Sequence, residues 1–171
     1  MASDDGGALI VTARFDPAAQ DFFQAMRDRH FPPERNVVPA HCTLFHKLPG
    51  ARRDELADIL AAHAGEAPLA AHCTDLMRFA TGGAFRVESA GLSRLRAVVA
   101  ERFEAVLTRQ DSQPFRAHVT YQNKVDPKLA RHTFAQVERA FEPFPCAVAA
   151  IEMWFWRGGP WEAAGRVALS G

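Results

Sequence analysis

Two stretches, Pro39-Ala40-His41-Cys42-Thr43-Leu44-Phe45 and Phe115-Arg116-Ala117-His118-Val119-Thr120-Tyr121, decide how this chain folds. Each sets a histidine two residues before a threonine within a run of apolar and aromatic residues, the composition of a β-strand. Side chains alternate across a strand, so His41 and Thr43 share one face while Cys42 and Leu44 share the other. His118, Thr120 and Gln122 share a face in the same way, opposite Val119, Tyr121 and Asn123. Alternation also sets Phe45 on the His41 face and Arg116 on the His118 face. An imidazole–hydroxyl pair thus occurs twice, and the rest of the chain reads as scaffold for bringing the two strands together.

Working outward, Ala8 to Phe15 is a short apolar strand, and Asp16-Pro17 starts a helix with a carboxylate N-cap and proline in the first turn. Phe22, Met26 and His30 recur on that helix at its own period, and Pro32-Pro33 ends it. After the His41 strand, a helix over 52–64 carries Leu56, Ile59, Leu60 and His63 on one face, and Gly65 to Pro68 stops it. Strands over 69–79 and 84–89 follow, joined by a turn at Thr81-Gly82-Gly83. A helix over 91–109 has Leu92, Leu95, Val99, Phe103 and Val106 inward, and Gln113-Pro114 breaks it before the His118 strand. Asp126-Pro127 opens a fourth helix with Ala130, Phe134, Val137 and Phe141 inward. A long strand over 146–156, a Gly158-Gly159-Pro160 turn and a last strand from Trp161 to Leu169 close the chain. Strand, helix, histidine strand, helix, strand occurs twice. The pattern predicts an α+β fold over 8–171 as one domain of two similar lobes, antiparallel strands lining a central cleft and helices outside.

Composition narrows the function. The chain has 171 residues, 20 Lys+Arg against 20 Asp+Glu, and a hydrophobic fraction of 48%, which fits a globular domain rather than a disordered one. Zero net charge argues against a protein that coats nucleic acid through basic surface, but leaves room for a local phosphate site. Three widely spaced cysteines without a Cys-x-x-Cys unit predict no disulfide framework and fit a reducing cytoplasm. Residues 1–7 are polar and acidic, and are expected to be a flexible start. No run approaches the ~18 apolar residues of a membrane span.

A neutral imidazole removes a proton from an attacking oxygen, and an imidazolium protonates a leaving oxygen; histidine does both near neutral pH. One histidine from each lobe makes an acid–base pair, and a threonine hydroxyl on the same face can hold a non-bridging phosphate oxygen. Phosphodiester hydrolysis needs both roles at once. The two motifs, with Gly158-Gly159-Pro160-Trp161 and the element order, resemble those of the two-histidine phosphoesterase superfamily, in its 2′-5′ RNA ligase-like or RNA 2′,3′-cyclic phosphodiesterase branch. The resemblance implies a bilobal LigT-like fold and a metal-free, water-filled cleft. It implies His41 and His118 as the acid–base pair, in unassigned order, and Thr43 and Thr120 as phosphate donors. It also implies an RNA end or a small nucleotide phosphodiester as substrate, and in vitro joining of RNA ends through 2′-5′ bonds. Tyr121 replaces a smaller aliphatic residue but falls on the opposite face.

Four further residues are candidates for binding substrate: Arg116 for phosphate, and Phe45, Trp156 and Trp161 for stacking on a base. Trp154 belongs to the same aromatic cluster. Metal binding finds no recognised spacing, because His41 and His46, five apart, point to opposite faces unless the strand is bulged, and Cys42 faces away from His41. No cofactor is expected, nor a membrane partner, and the chain is expected to be a cytoplasmic monomer. Two alternatives keep the cleft but change its use: a non-catalytic module that binds an RNA end or nucleotide, and a hydrolase of another phosphoester, such as a 2′-5′ oligonucleotide or a cyclic phosphate of ADP-ribose.

Overall fold

The computed structural model describes residues 7–169. In chain order the elements are β1 Ala8–Phe15, α1 Pro17–His30, β2 Cys42–Pro49, α2 Arg53–His63, β3 Leu69–Phe79, β4 Gly82–Glu88, α3 Ala90–Arg102, β5 His118–Gln122, α4 Pro127–Ala140, β6 Phe144–Trp156 and β7 Glu162–Ala168. This is the expected repeat, strand-helix-strand-helix-strand taken twice, with β7 added. Of the expected flexible start, residues 1–6 lie outside the described residues, while the Gly7 carbonyl accepts a 2.8 Å hydrogen bond from Gly50.

The strand pairs are antiparallel throughout the described residues. The order is β1-β2-β5-β4-β3-β6-β7, and β1 also pairs with β6, so six strands form a closed ring with β7 on its outside. β6 achieves this through its length: Phe144 to Val148 pair with β3, and Val148 to Trp156 pair with β1. The weakest join is between the two histidine strands, where β2 and β5 share the single pairing Cys42↔Val119. Cys42 and Val119 are 0% and 1% exposed, and are part of the apolar core that fills one side of the sheet.

α1 and α4 begin at the Asp-Pro pairs that signal them, and α3 begins at a serine cap. Asp16 accepts from the Ala19 amide at 3.2 Å, Ser89 from Leu92 at 3.2 Å and Asp126 from Lys128 at 2.8 Å. Several expectations need correction. α1 buries Ala19, Gln20, Phe23 and Arg27, one position away from the Phe22 face, because the buried stripe contains a glutamine and an arginine that a hydrophobic count passes over. His63, the last residue of α2, is exposed, and so is Val106, since α3 ends at Arg102 and continues as a short 3-10 turn over Glu104–Val106. Gly82 and Gly83 are not the hairpin turn. They are the first residues of β4, pressed so closely on β5 that an added Cβ would collide with the Gln122 carbonyl and with the Tyr121 hydroxyl.

The ladders explain that crowding. Ala84 faces Thr120 but Gly83 faces Gln122, so β5 carries one extra residue, Tyr121. β2 does the same against β1, where Thr12 faces Thr43 but Val11 faces Phe45, which makes Leu44 the extra residue. Both histidine strands are therefore bulged at the third residue after their histidine.

Candidate active site

The single β2–β5 pairing sets the geometry of the site. Opposed residues of an antiparallel pair present their side chains to the same face, and Cys42 and Val119 present theirs to the core. Their neighbours, His41 and Thr43 on one strand and His118 and Thr120 on the other, present theirs to the opposite face. There they line a cavity of about 460 Å³. Its wall includes Trp156, Trp161, Phe79, His46 and Asn123.

Both imidazoles are held alike. His41 Nδ1 lies 2.7 Å from the Pro39 carbonyl and His118 Nδ1 lies 2.7 Å from the Arg116 carbonyl, each two residues back along the chain. A carbonyl only accepts, so Nδ1 carries the hydrogen in both rings and Nε2 is left for the cleft. Each ring also meets an aromatic edge: Trp161 beside His41 at 5.2 Å and Phe79 beside His118 at 5.9 Å between centroids. The segment before His41 is clamped by α1, as Gln24 accepts from the Ala40 amide at 2.7 Å and Gln20 donates to the Ala40 carbonyl at 2.7 Å.

Burial pushes the His41 imidazole down to about 4; the Pro39 contact opposes this, and the neighbouring Arg27 guanidinium adds to it. His41 is therefore neutral throughout the physiological range. Burial pushes the Cys42 thiol up to about 12, which agrees with its position behind the sheet and removes it as a nucleophile at neutral pH.

The structure divides the four residues expected to bind substrate. Trp156, 44% exposed, and Trp161 line the cleft. Trp161 is backed by Trp154 at 6.1 Å, whose indole N–H donates to Thr12 at 2.9 Å. Phe45 does not line it. The Leu44 bulge ends simple alternation, so Leu44 and Phe45 are both buried, at 2% and 0% exposure, and Phe45 lies under the Arg96 guanidinium at 4.3 Å. Arg116 precedes β5, its side chain is exposed outside the cleft lining, and it serves the site through its carbonyl.

The bulges bring in residues that alternation assigns elsewhere. After Leu44 and Phe45, His46 turns back into the cleft; after Tyr121 and Gln122, both buried, so does Asn123. No residue type at either bulge announces it; Gly82-Gly83 on the partner strand is the one signal in the sequence. Among the described residues, no three histidine, cysteine, aspartate or glutamate side chains form a group suited to a metal, and no helix is long and apolar enough to cross a membrane.

Comparison with known proteins identifies the family and the fold. The family model of the 2′-5′ RNA ligase superfamily matches residues 15–160. Escherichia coli LigT, in its complex with 3′-AMP, aligns over 96% of this chain and 99% of its own at 16% identity, with a TM-score of 0.60. TT0787 of Thermus thermophilus aligns over 96% of this chain and 98% of its own at 17% identity, with a TM-score of 0.64. At these identities the likeness is one of fold. Among curated proteins there is no match.

Proposed function

Because the chain belongs to the 2′-5′ RNA ligase superfamily, we propose that its cleft hydrolyses a 2′,3′-cyclic phosphate, at an RNA end or on a mononucleotide, by acid–base catalysis without a metal. The observation that carries this reading is the matched tautomer lock: two carbonyls, at 2.7 Å each, hold the Nδ1 atoms and leave both Nε2 atoms for the cleft.

Water attacks phosphorus in line while His41 Nε2, neutral because its ring is buried, takes the water proton. A new P–O bond forms, the bond to one ribose oxygen breaks, and His118 Nε2–H delivers a proton to that oxygen. The products are a phosphomonoester and a free hydroxyl. Thr43 and Thr120 donate to the non-bridging oxygens, where negative charge grows in the transition state. Trp156 and Trp161 form a wall on which a base can stack. Joining of RNA ends through a 2′-5′ bond uses the same attack with a 5′-hydroxyl in place of water: the new P–O bond forms to that oxygen, the bond to the ribose 3′-oxygen breaks, and the 3′-oxygen takes the proton. Structures of E. coli LigT with 3′-AMP, NADP+ and ATP support a nucleotide-sized ligand for this fold.

The test is to incubate the protein, in excess EDTA, with an oligoribonucleotide ending in 2′,3′-cyclic phosphate, beside a His41→Ala, His118→Ala double variant. Conversion by the parent and none by the variant upholds the reading, and the position of the product phosphate names the leaving oxygen. Binding without conversion points instead to a module that holds RNA ends. Conversion abolished by EDTA would overturn the metal-free mechanism.

A further inference from the structure

Each half of the cleft contributes a third polar side chain at the same step, five residues after its histidine: His46 in the first half and Asn123 in the second. Each is turned inward by the extra residue of its strand. Each is also fixed from behind. His46 Nδ1 lies 3.1 Å from Asp111 Oδ1, and the same carboxylate accepts the backbone N–H of His46 at 2.8 Å and of Lys47 at 2.9 Å. Asp111 is 1% exposed, and Arg96 holds its backbone carbonyl while also reaching the carbonyl of the bulge residue Leu44. Burial alone would raise the Asp111 carboxyl, but the hydrogen bonds from His46 and Lys47 outweigh it and keep the group below its ordinary value. An ionised carboxylate only accepts, so His46 carries its hydrogen on Nδ1 and has Nε2 left for the cleft. Across the site, Asn123 Oδ1 accepts from the Thr81 hydroxyl at 2.8 Å and from the Lys124 amide at 2.8 Å, which leaves the Nδ2 amide group for substrate.

Neither residue is required for the proton transfers assigned to His41 and His118. The described lining contains no lysine, arginine, aspartate or glutamate, so apart from Gln110, polar groups of a ligand beyond the reacting phosphate meet these two heads. We propose that His46 Nε2 and Asn123 Nδ2 bind the parts of the substrate that flank the scissile phosphodiester. Asp111 is the positioning residue that fixes the tautomer and orientation of the His46 ring. The ligand class selected is a phosphodiester with hydrogen-bonding groups on both sides of phosphorus, as in a nucleotide, over a bare alkyl or aryl diester. This inference rests on the phosphodiesterase reading of the cleft.

The test compares 2′,3′-cyclic AMP with methyl para-nitrophenyl phosphate as substrates for the parent protein and for His46→Ala, His46→Gln, Asn123→Ala and Asp111→Asn variants. Binding of 3′-AMP is measured alongside by calorimetry. His46→Ala is expected to raise KM for the cyclic nucleotide about tenfold, the size of one lost hydrogen bond, with kcat falling less than KM rises. KM for the aryl diester should move by less than about threefold, since that substrate offers no partner for the lost contact. His46→Gln, which sets an amide nitrogen near the Nε2 position, should recover part of the loss. Asp111→Asn should shift KM in the same direction and remove the fixed Nδ1–H signature of His46 in nitrogen NMR, which general loosening would not single out. Should Asp111→Asn fail to fold, the His46 variants decide.

Equal KM changes for both substrates, a kcat loss as deep as that of His41→Ala, or no change at all would overturn the proposal. If the parent hydrolyses neither substrate, the phosphodiesterase reading falls while the binding arm still decides. About tenfold weaker 3′-AMP binding by His46→Ala upholds the flanking contact, and equal binding or none overturns it.

Discussion

His41 and His118 each follow an alanine, precede a threonine by two residues and share the same Nδ1 lock, and burial pushes the His41 imidazole down to about 4. A lowered value means that the neutral form is favoured, so His41 stays a proton acceptor at every pH above about 4 and loses that capacity below it. The acid limb of kcat/KM, which reports the free protein, is therefore expected near pH 4 to 5 rather than at the ~6.5 of an ordinary histidine. A limb at 6.5 in a pH–rate series would reassign the base. His41→Ala and His118→Ala are each expected to cost about 10²- to 10⁴-fold in kcat. Thr43→Val should cost about 10²-fold at near-constant thermal stability, the loss of one donor to the developing charge. At this scale the sequence is most legible where a strand is regular: His41, Thr43, His118 and Thr120 need only alternation and one pairing. Phe45 and His46 exchange roles because alternation stops at Leu44, and a bulge leaves no mark in residue type.

Among the elements, the bulges in β2 and β5 have unequal support. In β2 the Leu44 carbonyl is taken by Arg96 at 3.2 Å. In β5 the extra residue is Tyr121, a large buried side chain packed on Phe85 at 5.3 Å, and the opposite strand makes room with Gly82 and Gly83. Gly82→Ala would set a methyl group against backbone, which cannot yield as a side chain can. It is expected to cost about 1–3 kcal/mol or more in urea unfolding, and to displace Asn123 from the cleft. Gly-Gly after a threonine reads naturally as a turn, and only the partner strand shows why both glycines lie inside β4. The face of α1 escapes a sequence reading for a related reason. Its cap is plain in Asp16-Pro17, but its buried stripe includes Arg27, which no hydrophobic scale counts as apolar. That side chain packs on Phe31 at 3.9 Å and bonds Asn36 at 2.8 Å.

For the molecule as a whole, charge sets the kind of substrate that suits it. With 20 basic and 20 acidic residues and a described cleft lining free of lysine and arginine, little is available to hold a long polyanion. KM for cyclic-phosphate ends is therefore expected to change by less than about threefold as an oligoribonucleotide is lengthened beyond a few nucleotides, and its dependence on salt should be shallow, with a slope near that of about one or two phosphate contacts. A steep slope over a series in potassium chloride would reveal a basic track outside the cleft. The repeat order and helix starts are readable at this scale from period and capping, whereas the ring is not, because closure depends on one long strand, β6, pairing with β3 and β1 on its two edges.

That ring has one slender link. Five of its joins are ladders of several pairs, while β2 and β5 meet at Cys42↔Val119 alone, directly beneath both histidines. Heating loosens a structure first where fewest contacts oppose opening. The reactive geometry should therefore fail before the fold does: turnover should decline at temperatures where circular dichroism still records an intact sheet, return fully on cooling, and survive to higher temperature when a nucleotide spans the two strands.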